Sequence, residues 1–179
     1  MVGKGASAVI QILQPQLFVQ SIYDIDLPRL IDRGVKGLIL DLDNTLVGWN
    51  QPTASDELML WLSQVRQHQL KTCIVSNNLS DRVEAFSRHI GVMAIAKAAK
   101  PRRRAFRLAM RKMGTHHQET AVVGDQIFTD ILGGNRLQLF TILVKPMSER
   151  EFWTTQMVRR LEKMVMPGRA PLSMSDRQS

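Results

Sequence analysis

The 179 residues contain one cysteine, Cys73, and no His/Cys grouping at metal-ligand spacing, which excludes an internal disulfide and a structural zinc site. Long apolar runs are also missing. No stretch approaches the roughly 20 residues that span a bilayer, and Gln11, Gln14, Pro15 and Gln16 interrupt the best one. Near the N-terminus, Lys4 precedes a short apolar run, Ala8 to Leu13, but no long apolar core with a small-residue cleavage site follows. A cytoplasmic chain without a transmembrane helix is therefore expected. Repeats and low-complexity blocks are absent too, apart from the loosely composed Pro167–Ser179, which reads as a flexible tail. With 44% hydrophobic and 22% charged residues, the remainder has ordinary globular composition. One domain over residues 1–166 is expected, with residues 1–35 as a lead-in segment.

Acidic residues are missing from one place in particular. Residues 97–112 (KAAKPRRRAFRLAMRK) hold eight Lys/Arg and no Asp or Glu, and the sixteen basic residues elsewhere balance the sixteen acids, so the whole net charge of +8 resides in this segment. Such a segment is either a solvated helix face or a field for an anionic partner: a phosphate ester, acidic lipid or RNA.

Short continuous apolar runs alternate with segments of helical period. Leu38–Leu40, Cys73–Val75, Met93–Ile95, Ala121–Val123 and Thr141–Val144 read as five strands buried on both faces. Between them, Leu58, Trp61, Leu62 and Val65, and then Phe106, Ala109, Met110 and Met113, recur at i, i+3, i+4, i+7. Gly91 and Gly114 stand where left-handed C-caps are wanted, and Ser148 with Glu151 forms a capping box before a last helix, Glu149 to Val165. The βαβα order implies an α/β fold with a doubly wound, three-layer parallel sheet. In such sheets ligands bind beyond the carboxyl ends of the strands.

Polar clusters converge at those ends. Asp41, Asp43, Asn44 and Thr45 follow the first strand, Ser76, Asn77 and Asn78 the second, Lys100-Pro101 the third, and Asp125, Gln126, Thr129 and Asp130 the fourth. Apolar strands ending in carboxylates would set Asp41 against Asp125 unless a cation intervened. Oxygen donors without Cys or His favour magnesium (Mg2+), which pairs naturally with a substrate phosphate. The chemistry that fits is phosphoryl transfer through a carboxylate nucleophile, with a second carboxylate as acid/base and a lysine and hydroxyl on the phosphoryl oxygens. A calcium loop starting at Asp41 would want Gly at its sixth position, where Leu46 stands. Ser76 and Asn77 could equally cap the next helix, and Asp130 could be a helix N-terminal acid. Gly133-Gly134 could be a close-packing device, and His116 and His117 read as loop residues.

DLDNT, VSNN, KP and GDQIFTD in that order resemble the four motifs of the haloacid dehalogenase (HAD) superfamily of phosphatases. ILDLDNTLV, AKAAKP and VGDQIFTDILGGNR are closer still to the YqeG family, a small IIIA-type branch of it, with the likeness running from about Phe18 into the last helix. The resemblance implies a HAD/Rossmann-like fold and a magnesium-dependent phosphomonoester hydrolase working through an aspartyl phosphate. By it, Asp41 is the nucleophile and a metal ligand. Asp43 is the acid/base, with its backbone carbonyl on the metal, and Asp125 is a further ligand. Ser76, Asn77, Lys100 and Thr45 bind phosphate, Thr45 also orients the nucleophile loop, and Asp130 supports the metal site. One departure is Gly48-Trp49-Asn50, where relatives often carry an acid after the tryptophan; it bears on substrate preference. Only Leu46–Lys71 and Leu79–Lys100 separate the motifs, so the expected fold is capless with an open site. Phosphatidylglycerophosphate is the substrate the family implies, as an anionic lipid head group met by peripheral contact on the inner membrane face. The stripe Trp153, Met157, Leu161 and Met164 more often packs on the domain than on an anionic membrane, and the segment Ala8–Val19 is a second candidate contact. A soluble phosphate ester or phosphoprotein is the alternative within the enzyme class. A non-enzymatic RNA-binding module is the alternative outside it, and nucleic acid is disfavoured because a mere binder has no need of Asp41 and Asp43.

Overall fold

Leu38 and Leu40 face one side of the pleat and Ile39 the other, as period-two geometry demands, and both faces need apolar cover. The computed structural model, which describes residues 11–49, 51 and 53–147, supplies that cover from helices on both sides of a sheet. The elements run β1 (Leu17–Val19), α1 (Leu27–Asp32), β2 (Gly37–Leu40), α2 (Asp56–Gln67), β3 (Lys71–Val75), α3 (Ser80–Ile90), β4 (Met93–Ile95), α4 (Arg103–Met113), β5 (Thr120–Gly124), α5 (Leu132–Asn135) and β6 (Phe140–Val144). A π-helical turn, Ile127–Ile131, leads into α5. The six strands pair in parallel in the order β1-β6-β5-β2-β3-β4.

Leu38, Leu40, Ile74, Val123 and Ile142 pack with Leu30, Leu58, Trp61, Val65, Val83 and Phe86 on one face. Ile39, Cys73, Val75 and Val122 meet Phe106, Ala109 and Met113 on the other. The helical spacing of Leu58, Trp61, Leu62 and Val65 is thus the buried side of α2. Gly91 and Gly114 cap α3 and α4 at φ 68 and 64, a left-handed conformation that costs glycine nothing.

Two strand expectations change. Leu17–Val19, read as part of a terminal segment, forms a sixth strand against β6, with Phe18 left 53% exposed. Three residues at a sheet edge give too short an alternation to read as a strand. Met93–Ile95, expected to be buried on both faces, is the opposite edge strand, with Met93 exposed and Ala94 and Ile95 half-buried against the two cores. The expected last helix, its capping box at Ser148 and Glu151, the stripe from Trp153 to Met164 and the tail lie outside the described residues. No helix among the described residues is long and apolar enough to cross a membrane.

Gly133 and Gly134 let α5 lie close against its neighbours. A Cβ on Gly133 would stand 2.5 Å from the Phe106 ring, and one on Gly134 2.5 Å from Thr141 Cγ2. Gly133→Ala is therefore expected to destabilise the protein by about 1–3 kcal/mol, the usual range for overpacking. In a Phe106→Leu background the loss should shrink, and urea unfolding of the double-mutant cycle measures that coupling.

Candidate active site

Because every strand is parallel, all the carboxyl ends share one edge, and β2, which lies between β5 and β3, brings three of the polar clusters side by side. Asp41 continues the ladder, donating its N–H to Val123 O at 2.9 Å. The chain then reverses. Leu46 and Val47 donate to Leu42 O at 3.0 and 3.1 Å, and Asn44, at φ 60, donates to Val47 O at 2.7 Å. This tight loop holds Asp41 and Asp43 at the cleft. After β3, Ser76 Oγ accepts from Asn78 N at 3.0 Å, while the Ser76 backbone stays bonded to Ile95 O and Ala98 N.

Asp41, Asp43, Trp49, Ser76, Asn77, Asn78, Lys100, Gln126 and Thr129 line a cleft of about 270 Å³. At its base Lys100 Nζ donates to Asp41 Oδ1 at 2.5 Å and to Asp130 Oδ1 at 2.7 Å, with both ends of each pair buried. Asn77 fixes the lysine's backbone from both sides: its Oδ1 accepts from Lys100 N at 2.7 Å and its Nδ2 donates to Lys100 O at 3.4 Å. The side-chain amide is thus committed to the lysine loop. Neither Ser76 nor Asn77 caps α3, whose N-cap residue is Leu79. Lys97 and Ala99 sit in left-handed backbone at φ 48 and 54, strain that accompanies the tight approach of this loop.

Asp130 is the acid in the first turn of its helical segment, as a helix N-terminal reading expects, and it also belongs to the cluster at Lys100. It lies in the π-helical turn, where its Oδ2 accepts from Gln126 N at 3.3 Å and Thr129 Oγ1 at 3.2 Å. Gly124 makes this possible, since a Cβ there would come within 2.3 Å of Asp130 Cγ. Thr45 Oγ1 stands 3.4 Å from Asp41 Oδ2 and 3.3 Å from Asp125 Oδ1; its one hydrogen serves either carboxylate.

Carboxylate oxygens of Asp41, Asp125 and Asp130 all lie within 4.8 Å of one another. One lysine offsets three buried acids. Burial, reinforced by Asp41 and Asp130, pushes the Asp125 carboxyl up to about 8. Burial likewise raises Asp41, against the opposing pull of Lys100. Burial alone would lower Lys100, but Asp130 and Asp41 outweigh it and hold the ammonium above its ordinary range. An all-oxygen donor set with surplus negative charge fits a hard divalent cation, and a soft metal would lack its thiolate or imidazole.

Asp43 lives in different surroundings. Arg82 donates to its Oδ1 from Nε at 3.2 Å and Nη2 at 3.0 Å, and Asn78 Nδ2 donates to its Oδ2 at 3.2 Å. Arg82 Nη2 also reaches Gly48 O at 3.4 Å and Gln51 O at 3.5 Å, tying the carboxylate to the loop that carries Trp49. Sequence reasoning missed Arg82. Its signal was a cation in the first turn of a helix, where the macrodipole disfavours one without an anionic partner. The two histidines, as expected, sit beside each other in a surface turn, with His117 opening the 3-10 segment before β5. Cys73 is buried in the sheet, and burial pushes its thiol up to about 11, out of the reactive range.

Comparison with known proteins agrees with this geometry. Residues 97–159 match the profile of a family described as HAD-hydrolase-like. The chain is 42% identical over 152 residues to the probable phosphatase YqeG of Bacillus subtilis, covering 85% of this chain and 88% of that one. It is 29% identical over 168 residues to phosphatidylglycerophosphate phosphatase 1, chloroplastic/mitochondrial, of Arabidopsis thaliana, of which it spans about half (47%). Among solved structures, an uncharacterized protein from Listeria monocytogenes superposes with TM-score 0.53 at 20% identity, over 65% of this chain and 84% of that one. The 3-deoxy-D-manno-octulosonate 8-phosphate phosphatase of Yersinia pestis does so with TM-score 0.50 at 12% identity, over 68% of each chain. These last two likenesses concern the fold.

The acid cluster makes a prediction about stability. A carboxyl raised in the folded state stabilises the fold fully below its unfolded value near 4 and loses that contribution as pH rises through its folded value. Because Asp125 is raised to about 8, protein kept in chelator should lose thermal stability between about pH 4 and pH 8. Added magnesium should restore the melting temperature most at the alkaline end. A flat difference across that range, read by calorimetry, would contradict the cluster's role as a cation site.

Proposed function

The chain belongs to the YqeG family of HAD phosphatases, and from that premise we propose that it hydrolyses a phosphomonoester through an aspartyl phosphate on Asp41. The observation that carries the reading is the unequal treatment of two carboxylates two residues apart. Asp41 is buried against Lys100, whereas Asp43 is half-buried and held at the cleft by Arg82 and Asn78. Environments that differ this much suit different roles.

In the proposed reaction Asp41 attacks phosphorus, the bond to the ester oxygen breaks, and the leaving alkoxide takes a proton from Asp43. Water then attacks the acyl phosphate while Asp43 accepts its proton, releasing inorganic phosphate and regenerating Asp41. Lys100 and Ser76 hold the phosphoryl oxygens, with Asn77 keeping the lysine's backbone in register. Thr45 orients Asp41 relative to Asp125. Asp41, Asp125, Asp130 and the Asp43 carbonyl are the groups that would hold a magnesium ion, which would neutralise charge on the transferred phosphoryl group.

Phosphatidylglycerophosphate is the substrate we favour. The Arabidopsis relative bears that activity in its name, and the segments between the motifs hold only a loop with α2, and then α3 with β4, leaving the cleft accessible to a large head group. A phosphate-release assay comparing this lipid in micelles with soluble phosphate esters tests the choice. Preference for a soluble ester would move the assignment to small-molecule metabolism.

Two substitutions test the chemistry. Asp41→Asn should leave the fold intact and cut phosphate release by about 10³-fold or more, because the amide preserves shape and removes the nucleophile. Asp43→Asn should cost about 10² to 10⁴ in rate, with alkyl phosphates suffering more than aryl phosphates, whose leaving groups need no proton. Arg82→Ala should show a smaller version of the same leaving-group dependence. Equal losses for both ester classes would remove Asp43 from the acid's role.

A further inference from the structure

Seven large apolar side chains are exposed among the described residues, and four of them stand at the cleft edge: Trp49, Leu79, Phe128 and Met147. Trp49 lines the cleft, Leu79 follows cleft-lining Asn78, and Phe128 lies between Gln126 and Thr129. Met147 donates its N–H to Asn44 O at 3.0 Å, beside Asp43. The four sit in the loops after β2, β3, β5 and β6, which are consecutive in the sheet, so the apolar rim extends over about 15 Å at ordinary strand spacing. Loops this close to a polar cleft would ordinarily be polar, and an apolar patch rimming a site marks an interaction surface.

Charge on the same edge is lopsided. Arg102, Arg103 and Arg104 are exposed at the start of α4, two residues beyond Lys100, and Lys97 and Lys145 are exposed after β4 and β6. The exposed acids Asp56, Glu57 and Asp81 open α2 and α3, which cover the other face of the sheet from α4, with Asp81 two residues beyond Leu79. Arg102 at the N-cap and Arg103 and Arg104 in the first turn of α4 work against that helix's own dipole, and among the described residues none of them is in an ion pair. Arg111 and Lys112, by contrast, lie in the last turn, where the dipole welcomes them. The exposed arginines at the cleft end thus present a local positive charge suited to an anionic partner.

We infer that this edge is a docking face for an anionic phospholipid bilayer, with Trp49, Leu79, Phe128 and Met147 entering the interface and Arg102–Arg104 meeting the head groups. Apolar side chains beside cations match the layered chemistry of a bilayer surface, whereas RNA would reward the cations and leave Leu79 and Met147 unexplained. The open cleft between them then receives a phosphomonoester at head-group depth. This rests on the phosphatase reading above for what the cleft does, but not for whether the face binds.

The test is co-sedimentation of the full chain with vesicles of phosphatidylcholine alone or mixed with phosphatidylglycerol, at low and moderate salt, beside turnover of a soluble aryl phosphate. Leu79→Ser combined with Met147→Ser should weaken partition onto the mixed vesicles by about fivefold or more at both salt concentrations. Arg103→Glu with Arg104→Glu should weaken it by about tenfold or more at low salt and less at moderate salt. Both variants should keep aryl phosphate turnover within about twofold of wild type, since a small soluble ester meets only the cleft. Wild-type sedimentation by both variants would overturn the docking face, as would retained vesicle binding together with lost RNA binding in the arginine variant. Failure of the wild-type chain to hydrolyse any ester would instead overturn the phosphatase reading, because sedimentation reads the face without reference to turnover.

Discussion

Three carboxylates buried within 4.8 Å of one another, with one lysine among them, are the constraint around which the rest of the molecule is organised. Burial first, and then repulsion from Asp41 and Asp130, push the Asp125 carboxyl up, so gathering these groups is costly. Such a cluster persists only where the surrounding structure leaves the groups no alternative position. Each neighbouring feature serves that end: Asn77 clasps the Lys100 backbone, Gly124 leaves the space that Asp130 occupies, and the π-helical turn carries Thr129 and Gln126 N to the Asp130 carboxylate.

The framework that enforces this geometry is apolar and parallel. β2 pairs with β5 in register from Gly37–Thr120 to Leu40–Val123, so Asp41 stands level with Gly124, and Asp125 follows one residue later at the same edge. Helices on both faces bury β2 and β5 completely, and that burial offsets the local penalty of the acids. The parallel arrangement also explains why the cleft is assembled from segments far apart in sequence. Crossover connections return each strand to the same edge, and the loops after β2, β3, β4 and β5 contribute between one and three lining side chains each.

Asp41 and Asp43 differ because a short reversal separates them. The loop closed on Leu42 O puts one carboxylate at the buried lysine and the other beside Arg82 at the cleft wall. Two chemically identical groups thereby acquire separate partners within a few ångströms. That separation is what the proposed division into a nucleophile and a proton carrier would use. The same loop, through Gly48 O and Gln51 O on Arg82, connects the acid to Trp49 and hence to the apolar rim, so site and surface share one structural element.

Much of this was readable from the chain. Continuous apolar runs ending in Asp, Ser, Lys and Asp identified a parallel sheet and its reactive edge, because strand period and helix period are local properties and the motifs sit at their boundaries. Gly91, Gly114, Gly133 and Gly134 could be interpreted in advance because only glycine suits a left-handed cap or a contact of 2.5 Å. Tertiary structure alone decided the rest. Leu17–Val19 becomes a strand only by pairing with β6, 125 positions later at Leu17–Ile142, and no local pattern encodes such a partner. Arg82 acquires its meaning from Asp43 across 39 residues, and Asn77 from Lys100 across 23. The apolar rim exists only because four separated loops end on one edge. Sequence periodicity reports what each segment can bury, whereas which segments meet is set by the packing of the whole sheet.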